Sequence, residues 1–193
     1  FVEDTAIVLD EVAVLTRPGV ESRRGEVSLM EPEVARLRPV VRVEPPATLE
    51  GGDVLRLGRT LYVGLSPRTN AEGAATLRRL AAPYGYEVLT VGLRGCLHLK
   101  TGCSGLDEET VLVNPEWVDA AVFRGREVVA VDASEPWAAN VLSVGGPVCV
   151  SAAFPRTARM LASRGYDVRA AEVSEFAKAE GGMTCMSLLF RQP

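Results

Sequence analysis

The chain has 193 residues, of which 47% are hydrophobic and 24% are charged, and its formal net charge is −4 at pH 7. This composition is typical of a globular protein with one well-developed core, and its slightly acidic charge gives no field that would attract nucleic acid or an anionic membrane. No apolar run approaches the ~20 residues of a membrane-spanning helix, which argues against a membrane partner.

Four modules are predicted in succession along the chain. The first has a hairpin over 5–17, a helix over 21–37 and a strand over 40–43. The second has a hairpin over 53–65, a helix over 70–82 and a strand over 87–91. The third has a hairpin over 97–113, a helix over 114–122 and a strand over 127–132. The fourth has a hairpin over 139–152, a helix over 155–165 and a strand over 167–171. The hairpins show strand-like apolar runs around turn signals, and Asn70 is suited to cap the second helix.

This strand-strand-helix-strand unit recurs at intervals of ~45 residues. Each unit alone leaves one face of its sheet and one face of its helix uncovered, so the units must pack against one another. The units share little side-chain identity, which favours a ring of degenerate modules around a common axis. An ordinary layered α+β domain is the alternative.

Polar residues stand at the start of each module. These segments are FVED at 1–4, LEGGD at 49–53, LHLK at 97–100 and WAAN at 137–140. In a ring of modules the four segments would converge at one end of the axis. That arrangement would gather Asp4, Glu50 and His98 in one place.

Cys185 lies in the stretch GGMTCMSLLF, between two glycines and an apolar, strand-like run. Alone it is more often a small buried core residue, and the single histidine, His98, is more often a hydrogen-bonded core residue. Together the two residues also fit a thiol nucleophile and its acid–base partner. Glu50 could orient the imidazole, although a solvated carboxylate at a strand end is the commoner role for a glutamate.

Arg23 and Arg68 occupy similar places in successive modules, at or just before the predicted helices. The helix dipole does not favour a cation there, whereas an arginine fork suits the recognition of a carboxylate. Two solvated arginines remain the alternative. The pair Gly51-Gly52 lacks the Lys-Ser/Thr of a phosphate loop, so it indicates either a close backbone approach or a simple bulge.

The four cysteines form no CxxC pair, and a single histidine gives little support for a zinc site. So few cysteines in a chain of this length argue against a disulfide framework. We therefore expect a reduced, cytoplasmic protein without a metal ion.

Several stretches in this order resemble the dimethylarginine dimethylaminohydrolase family of the guanidine-modifying, amidinotransferase-like superfamily. They are FVEDTAIVLDEVAVLTRPGVESRRGE, TLEGGDVL, YVGLSPRTNAEG, LHLK and GGMTCMSLLF. The resemblance implies an α/β fold, a pseudo-five-fold α/β propeller of which about four modules are present. It further implies that 1–193 is a single catalytic domain, the C-terminal portion of the five-module propeller. A separately supplied N-terminal segment or a homodimer is then a possible partner.

The resemblance also implies a role for individual residues. Cys185 would be the nucleophile, His98 the acid–base group and Glu50 the carboxylate that orients it. Substrate-binding roles would fall on Asp4, with Glu3 beside it, for the guanidinium, on Arg23 and Arg68 for the substrate carboxylate, and on the carbonyl of Ala179 for the α-amine.

The implied activity is hydrolysis of Nω-methylated arginine to citrulline and an alkylamine through a covalent thiouronium intermediate, without metal or organic cofactor. Arginine deiminases carry an acid two residues after the catalytic histidine, whereas this chain has Lys100 there, as in the dimethylarginine enzymes. An arginine deiminase or another guanidine-modifying enzyme is the first alternative. A non-catalytic fragment that binds an arginine derivative is the second.

Overall fold

The computed structural model describes residues 1–191 and contains four three-stranded sheets. Their strands are β1 (Ala6–Val8), β2 (Ala13–Leu15) and β3 (Val40–Arg42); β4 (Val54–Leu57), β5 (Thr60–Leu65) and β6 (Glu87–Gly92); β7 (Cys103–Gly105), β8 (Thr110–Val113) and β9 (Glu127–Ala130); β10 (Leu142–Ser143), β11 (Val148–Ser151) and β12 (Val168–Ala171). The α-helices are α1 (Arg24–Ala35), α2 (Ala71–Ala81), α3 (Leu99–Gly102), α4 (Pro155–Ser163) and α5 (Ser174–Ala177).

Every sheet has the same topology. Its first strand pairs antiparallel with its second, and the second pairs parallel with the third. In the first, second and fourth modules the parallel connection contains α1, α2 or α4, so the predicted strand-strand-helix-strand unit is confirmed there. The predicted cap is also confirmed, because the Asn70 side chain accepts a 2.8 Å hydrogen bond from the backbone N–H of Gly73.

The third module departs from the prediction in two places. The helix expected over 114–122 is wrong, since only a 3-10 turn forms over Ala120–Val122. The side chains of Asn114 and Asp119 accept backbone N–H groups two residues ahead, which closes local turns in place of a helix. The hairpin expected from residue 97 is also wrong at its start, because α3 precedes β7. The carboxylate of Asp53 accepts the first free N–H of that helix, from Leu99, at 3.0 Å.

The strand expected after Cys185 is likewise not seen among the described residues. Thr184–Met186 form a 3-10 turn, and 187–191 belong to no strand. Leu188 packs against the apolar cluster under β1, β2 and α1. Hydrophobic packing, without a ladder of backbone hydrogen bonds, therefore accounts for the apolar pattern of this segment.

Apolar clusters join each module to the next. One unites Leu9 and Val14 of the first module with Leu61 and Leu77 of the second. Similar clusters join the second module to the third and the third to the fourth. Burying each such side chain contributes about 1.5–3 kcal/mol relative to leaving it exposed. The modules thus follow one another around an axis, and the predicted α/β propeller, with four modules present, is confirmed.

The first strands of the four sheets line a central cavity of about 660 Å³. Its lining includes Glu3 of the segment FVED, Lys100 of the segment LHLK and Thr184 of the turn that carries Cys185. The propeller axis therefore leads to the place where the candidate site residues meet. Within residues 1–191 no helix is both long enough and apolar enough to cross a membrane.

A close backbone approach at Gly51 joins the first two module starts. A Cβ atom built on Gly51 would lie 2.1 Å from the carbonyl oxygen of Glu3.

We expect Gly51→Ala to lower the free energy of unfolding by about 1–3 kcal/mol or more, because backbone must move to make room. Gly25 of α1 offers a matched control, since a Cβ there meets nothing within 4 Å. Gly25→Ala should stabilise the helix by about 0.5–1 kcal/mol. Equal urea midpoints for the two variants would contradict the close approach.

Candidate active site

Three of the polar module starts contribute to one acid–histidine cluster. Nε2 of His98 lies 2.7 Å from Oε2 of Glu50 and 3.9 Å from Oδ1 of Asp4. Glu50 is fully buried, Asp4 is 4% exposed, and His98 is mostly buried. The expected convergence of Asp4, Glu50 and His98 is therefore seen in the structure.

Glu50 is fixed from several directions. Its Oε1 accepts the backbone N–H of Gly19 at 3.1 Å, and its own N–H donates to Oγ1 of Thr69 at 3.1 Å. Oε2 is thereby left to face His98. A buried carboxylate held in this way restricts the orientation of the imidazole.

The environment of His98 favours its protonated form. Burial alone would lower the pKa of His98, but the hydrogen bond to Glu50 and the charges of Asp4 and Asp53 raise the pKa above its usual value. Gly52 leaves room for the ring, since a Cβ on it would lie 3.0 Å from Cγ of His98. The imidazole therefore keeps its proton to a higher pH than an ordinary histidine and can act as a proton donor.

Asp4 is an ionised carboxylate that already binds a guanidinium. Burial would raise its pKa, but His98, the hydrogen bond from Arg23 and the N–H of Gly52 together lower it. Gly52 donates to Oδ1 at 3.0 Å, and Nη1 of Arg23 donates to Oδ2 at 2.8 Å. The same Arg23 nitrogen lies 3.7 Å from Oε2 of Glu50.

Acidic side chains and one backbone carbonyl engage Arg23, and its role toward a substrate carboxylate stays a prediction. Its Nε and Nη2 donate to Glu26 at 2.9 and 2.8 Å, and Nη2 also reaches the carbonyl of Phe1 at 3.3 Å. Hydrogen bonds to the carboxylates of Asp4 and Glu26 hold the guanidinium near the start of α1. In this structure Arg23 binds acids, at the place where a substrate guanidinium was expected.

Arg68 keeps an available donor. Among residues 1–191 its buried Nη1 has no hydrogen-bond partner, and that atom lies 3.7 Å from Oε1 of Glu50. A buried polar atom without a partner carries an energetic cost. Arg68 thus offers a hydrogen bond that a bound carboxylate could accept.

Cys185 lies on the 3-10 turn near this cluster and is half-buried. Its Sγ accepts the backbone N–H of Gly182 at 3.3 Å, and the part of the chain described here contains no hydrogen bond between Cys185 and His98. Burial and the charges of Glu3 and Asp4 raise the pKa of the thiol, with Gly182 and Lys100 acting in the opposite direction. A cation arriving at the site would favour the thiolate.

Glu3 is fully engaged by protein groups. Its Oε1 lies 2.6 Å from Nζ of Lys100, and its Oε2 accepts the hydroxyl of Thr184 at 2.8 Å. The carboxylate therefore faces the residue just before Cys185. The guanidinium binding that the resemblance implies for Glu3 stays a prediction.

Ala179 lies outside this cluster, on the exposed turn after α5. Its backbone N–H donates to the carbonyl of Phe176 at 3.0 Å. In the described range no hydrogen bond joins Ala179 to the other candidate residues.

Asp4, Glu50 and His98 are also the donor set that could hold a cation, since their ligand atoms lie within 4.8 Å of one another. Two buried carboxylates and an imidazole suit a guanidinium equally well, as the pairing of Asp4 with Arg23 shows.

Three further residues, Asp53, Asn140 and Thr184, make hydrogen bonds that position the site, and none of them was predicted from the sequence. Asp53 anchors the N–H of Leu99, next to His98. Asn140 ends the segment WAAN, whose position at a module start was the available signal.

The single histidine permits a direct test of the cluster. We expect the pKa of His98 to lie above its usual value and Glu50→Gln to lower it, because the neutral amide keeps the geometry and removes the negative charge. A raised histidine pKa stabilises the fold below the unfolded pKa, and that stability is lost as the pH rises through the folded pKa. Titration of the one imidazole NMR signal measures the pKa of His98 in the unmodified chain and in Glu50→Gln. An unchanged pKa in the variant would contradict the Glu50–His98 pairing.

Comparisons with known proteins identify the family of this chain. A family model described as arginine deiminase matches residues 1–135. The N(G),N(G)-dimethylarginine dimethylaminohydrolase of Pseudomonas aeruginosa is 40% identical over 192 residues, which cover 98% of this chain and 76% of the relative. The protein of that name from Streptomyces coelicolor is 40% identical over 194 residues, which cover 100% of this chain and 74% of the relative. A solved structure of the Pseudomonas aeruginosa enzyme, a cysteine-to-serine variant complexed with citrulline, has a TM-score of 0.94 at 39% identity and covers 98% of this chain and 75% of that one.

Proposed function

Because this chain belongs to the dimethylarginine dimethylaminohydrolase family of the amidinotransferase-like superfamily, we propose that it hydrolyses Nω-methylated arginine to citrulline and an alkylamine. One observation carries the proposal: the buried Asp4–Glu50–His98 cluster holds a guanidinium, that of Arg23, on Asp4. A substrate guanidinium has the same charge and the same fork of N–H donors. The solved relative with citrulline bound supports the product.

Substrate binding begins with an exchange of guanidinium groups. The substrate displaces Arg23 from Asp4, and Asp4 fixes the plane of the substrate guanidinium through charge-assisted hydrogen bonds. The released Arg23 and the unpartnered Nη1 of Arg68 then bind the substrate carboxylate. The carbonyl of Ala179 accepts from the α-amine, and Glu3 supports the turn that carries Cys185.

The chemical steps use Cys185 and His98. The bound cation lowers the pKa of Cys185, and the thiolate attacks the central guanidinium carbon. The C–N bond to the methylated nitrogen breaks as His98 protonates the departing dimethylamine. The resulting S-alkylthiouronium is attacked by water, which gives a proton to His98. Collapse of the tetrahedral adduct breaks the C–S bond and restores the thiolate, the remaining hydroxyl proton passes to solvent, and citrulline is released.

Glu50 supports His98 in both steps. Its carboxylate lies 2.7 Å from Nε2 and stabilises the imidazolium that donates the proton. The catalytic roles thus fall on Cys185, His98 and Glu50, and the proposed chemistry routes no step through a metal or an organic cofactor.

The preference for a methylated substrate rests on Lys100. A second acid two residues after His98 would bind the terminal nitrogen of unmodified arginine. Lys100 instead pairs with Glu3 at 2.6 Å and offers no acceptor there. A dialkylated nitrogen, which has fewer N–H donors, fits such a site better than an unmodified one.

Citrulline formation tests this function. Asymmetric dimethylarginine and arginine are supplied separately at matched concentrations, and we expect faster turnover of the methylated substrate. Faster turnover of unmodified arginine would favour the arginine deiminase alternative, to which the description of the matching family model points. Absence of citrulline from both would favour a binding protein without turnover.

We also propose that residues 1–193 act as one catalytic domain in the cytoplasm. Shared apolar cores between neighbouring modules support the single domain, and four free cysteines are compatible with a reducing compartment. A second copy of the chain, or a separately supplied N-terminal segment, is the proposed partner. Light scattering with and without that segment tests which partner binds.

A further inference from the structure

The turn that carries Cys185 is short and follows two glycines. Thr184–Met186 form a single 3-10 turn after Gly181 and Gly182, and Glu180 before them has a φ of 60°. Glycines contribute little conformational restraint of their own. The position of Sγ must therefore be fixed by contacts that reach this turn from other modules.

Thr184 receives most of these contacts. Its backbone N–H donates to Oδ1 of Asn140 at 3.1 Å, and Nδ2 of Asn140 donates back to its hydroxyl at 3.0 Å. That hydroxyl in turn donates to Oε2 of Glu3 at 2.8 Å. The residue immediately before Cys185 is thus held by an asparagine from the fourth module and a glutamate from the first.

Asn140 also reaches the helix that follows His98. Its Nδ2 donates to the carbonyl of Lys100, in α3, at 2.7 Å. Its side chain is packed so closely on Gly182 that a Cβ there would lie 2.4 Å from Oδ1. One buried amide, 8% exposed, therefore joins the nucleophile turn to the histidine helix.

We propose that Asn140 is a positioning residue that sets the distance between Cys185 and His98 by clamping Thr184 to α3. The inference rests on the proposed function, because the distance matters only if the thiol and the imidazole act on one substrate. Among residues 1–191 the side chain of Asn140 makes hydrogen bonds to Lys100 and Thr184 and none to Cys185 or His98. A misplacement of about 1 Å in a catalytic group costs on the order of 10²-fold in rate, so loss of the clamp should lower kcat.

The chemistry of the clamp requires an amide. Asn140 uses both N–H donors and its oxygen acceptor in these contacts. An aspartate has the same shape but no donor for the carbonyl of Lys100 or the hydroxyl of Thr184. It would also place a second negative charge on the hydroxyl that already binds Glu3.

The test compares isosteric and conservative variants in the full chain. We expect Asn140→Asp and Thr184→Val to lower kcat for citrulline formation from asymmetric dimethylarginine by about 10²-fold with little change in KM. Thr184→Ser keeps the hydroxyl and should retain kcat. Thr157→Val is the matched control, because Thr157 is fully buried in α4, outside the candidate site. It should lower stability without lowering kcat.

Two results would overturn the inference while the unmodified chain is active. One is an unchanged kcat in both Asn140→Asp and Thr184→Val. The other is an equal loss in Thr157→Val, which would indicate a structural effect without positioning.

If the unmodified chain forms no citrulline, the proposed function fails and positioning is measured by alkylation with iodoacetamide. The rate at Cys185 is then compared with that at half-buried Cys149 of β11 in the same molecule. An alkylation rate that changes at Cys185 but not at Cys149 in Asn140→Asp and Thr184→Val supports the clamp. An unchanged ratio of the two alkylation rates overturns it.

Discussion

Replacing Cys185 with serine is expected to lower citrulline formation from asymmetric dimethylarginine by about 10⁴-fold or more, as loss of a covalent nucleophile typically does. A serine hydroxyl at this position has no adjacent base, since no hydrogen bond joins residue 185 to His98 within 1–191. The initial rate of citrulline release, measured at saturating substrate, gives the comparison.

Cys149→Ser is the matched control for that prediction. Cys149 is also half-buried and unpaired, but it lies in β11 of the fourth module. The control should keep full activity. Retained turnover in Cys185→Ser, or equal losses in both variants, would contradict the assignment of the nucleophile.

Replacing His98 with asparagine is expected to lower turnover by about 10²–10⁴-fold, the usual contribution of general acid–base catalysis. Asparagine can still accept or donate a hydrogen bond near Glu50, but it cannot transfer a proton to the leaving amine. The loss should therefore appear in kcat for asymmetric dimethylarginine.

A substrate with a thiolate leaving group separates this role from a structural one. A thiolate departs without protonation, so His98→Asn should impair formation of the covalent intermediate from such a substrate much less than from dimethylarginine. Equal losses for the two substrates would contradict the role of His98 as the acid.

We expect the pH dependence of citrulline formation by the unmodified chain to reflect the raised pKa of His98. The acid form of His98 is required for release of the amine, and the hydrogen bond to Glu50 and the charges of Asp4 and Asp53 raise its pKa above the ordinary imidazole value. In a pH profile of kcat, proton donation is therefore expected to persist to a higher pH than with an ordinary imidazole and to be lost as the pH rises through the folded pKa of His98.

The sequence alone predicted the elements whose stabilising contacts lie between residues close together in the chain. The hairpins of the first two modules and the α2 helix with its Asn70 cap depend on residues within a few positions of each other. The start of the third module depends on a distant residue, because the N–H of Leu99 at the start of α3 donates to Asp53, 46 positions away. No window around residue 99 contains that information.

In the candidate site, too, some features could be predicted from local sequence and others depend on contacts between modules. Asp4, Glu50 and His98 could be found because each lies in a polar segment at the start of a module. The pairing of Arg23 with Asp4 and the clamp of Asn140 on Thr184 depend on distances between modules. Those distances follow from how the modules pack, which composition and spacing leave open.

The most direct test of the catalytic account is the mass of Cys185 during turnover. Chain quenched in acid while it consumes asymmetric dimethylarginine is digested, and the peptide that contains Cys185 is analysed by mass spectrometry. We predict an adduct on Cys185 equal to the substrate less dimethylamine, which decays to citrulline as substrate is exhausted. Citrulline formed at full rate by a chain whose Cys185 peptide never gains that mass would contradict covalent catalysis at this site.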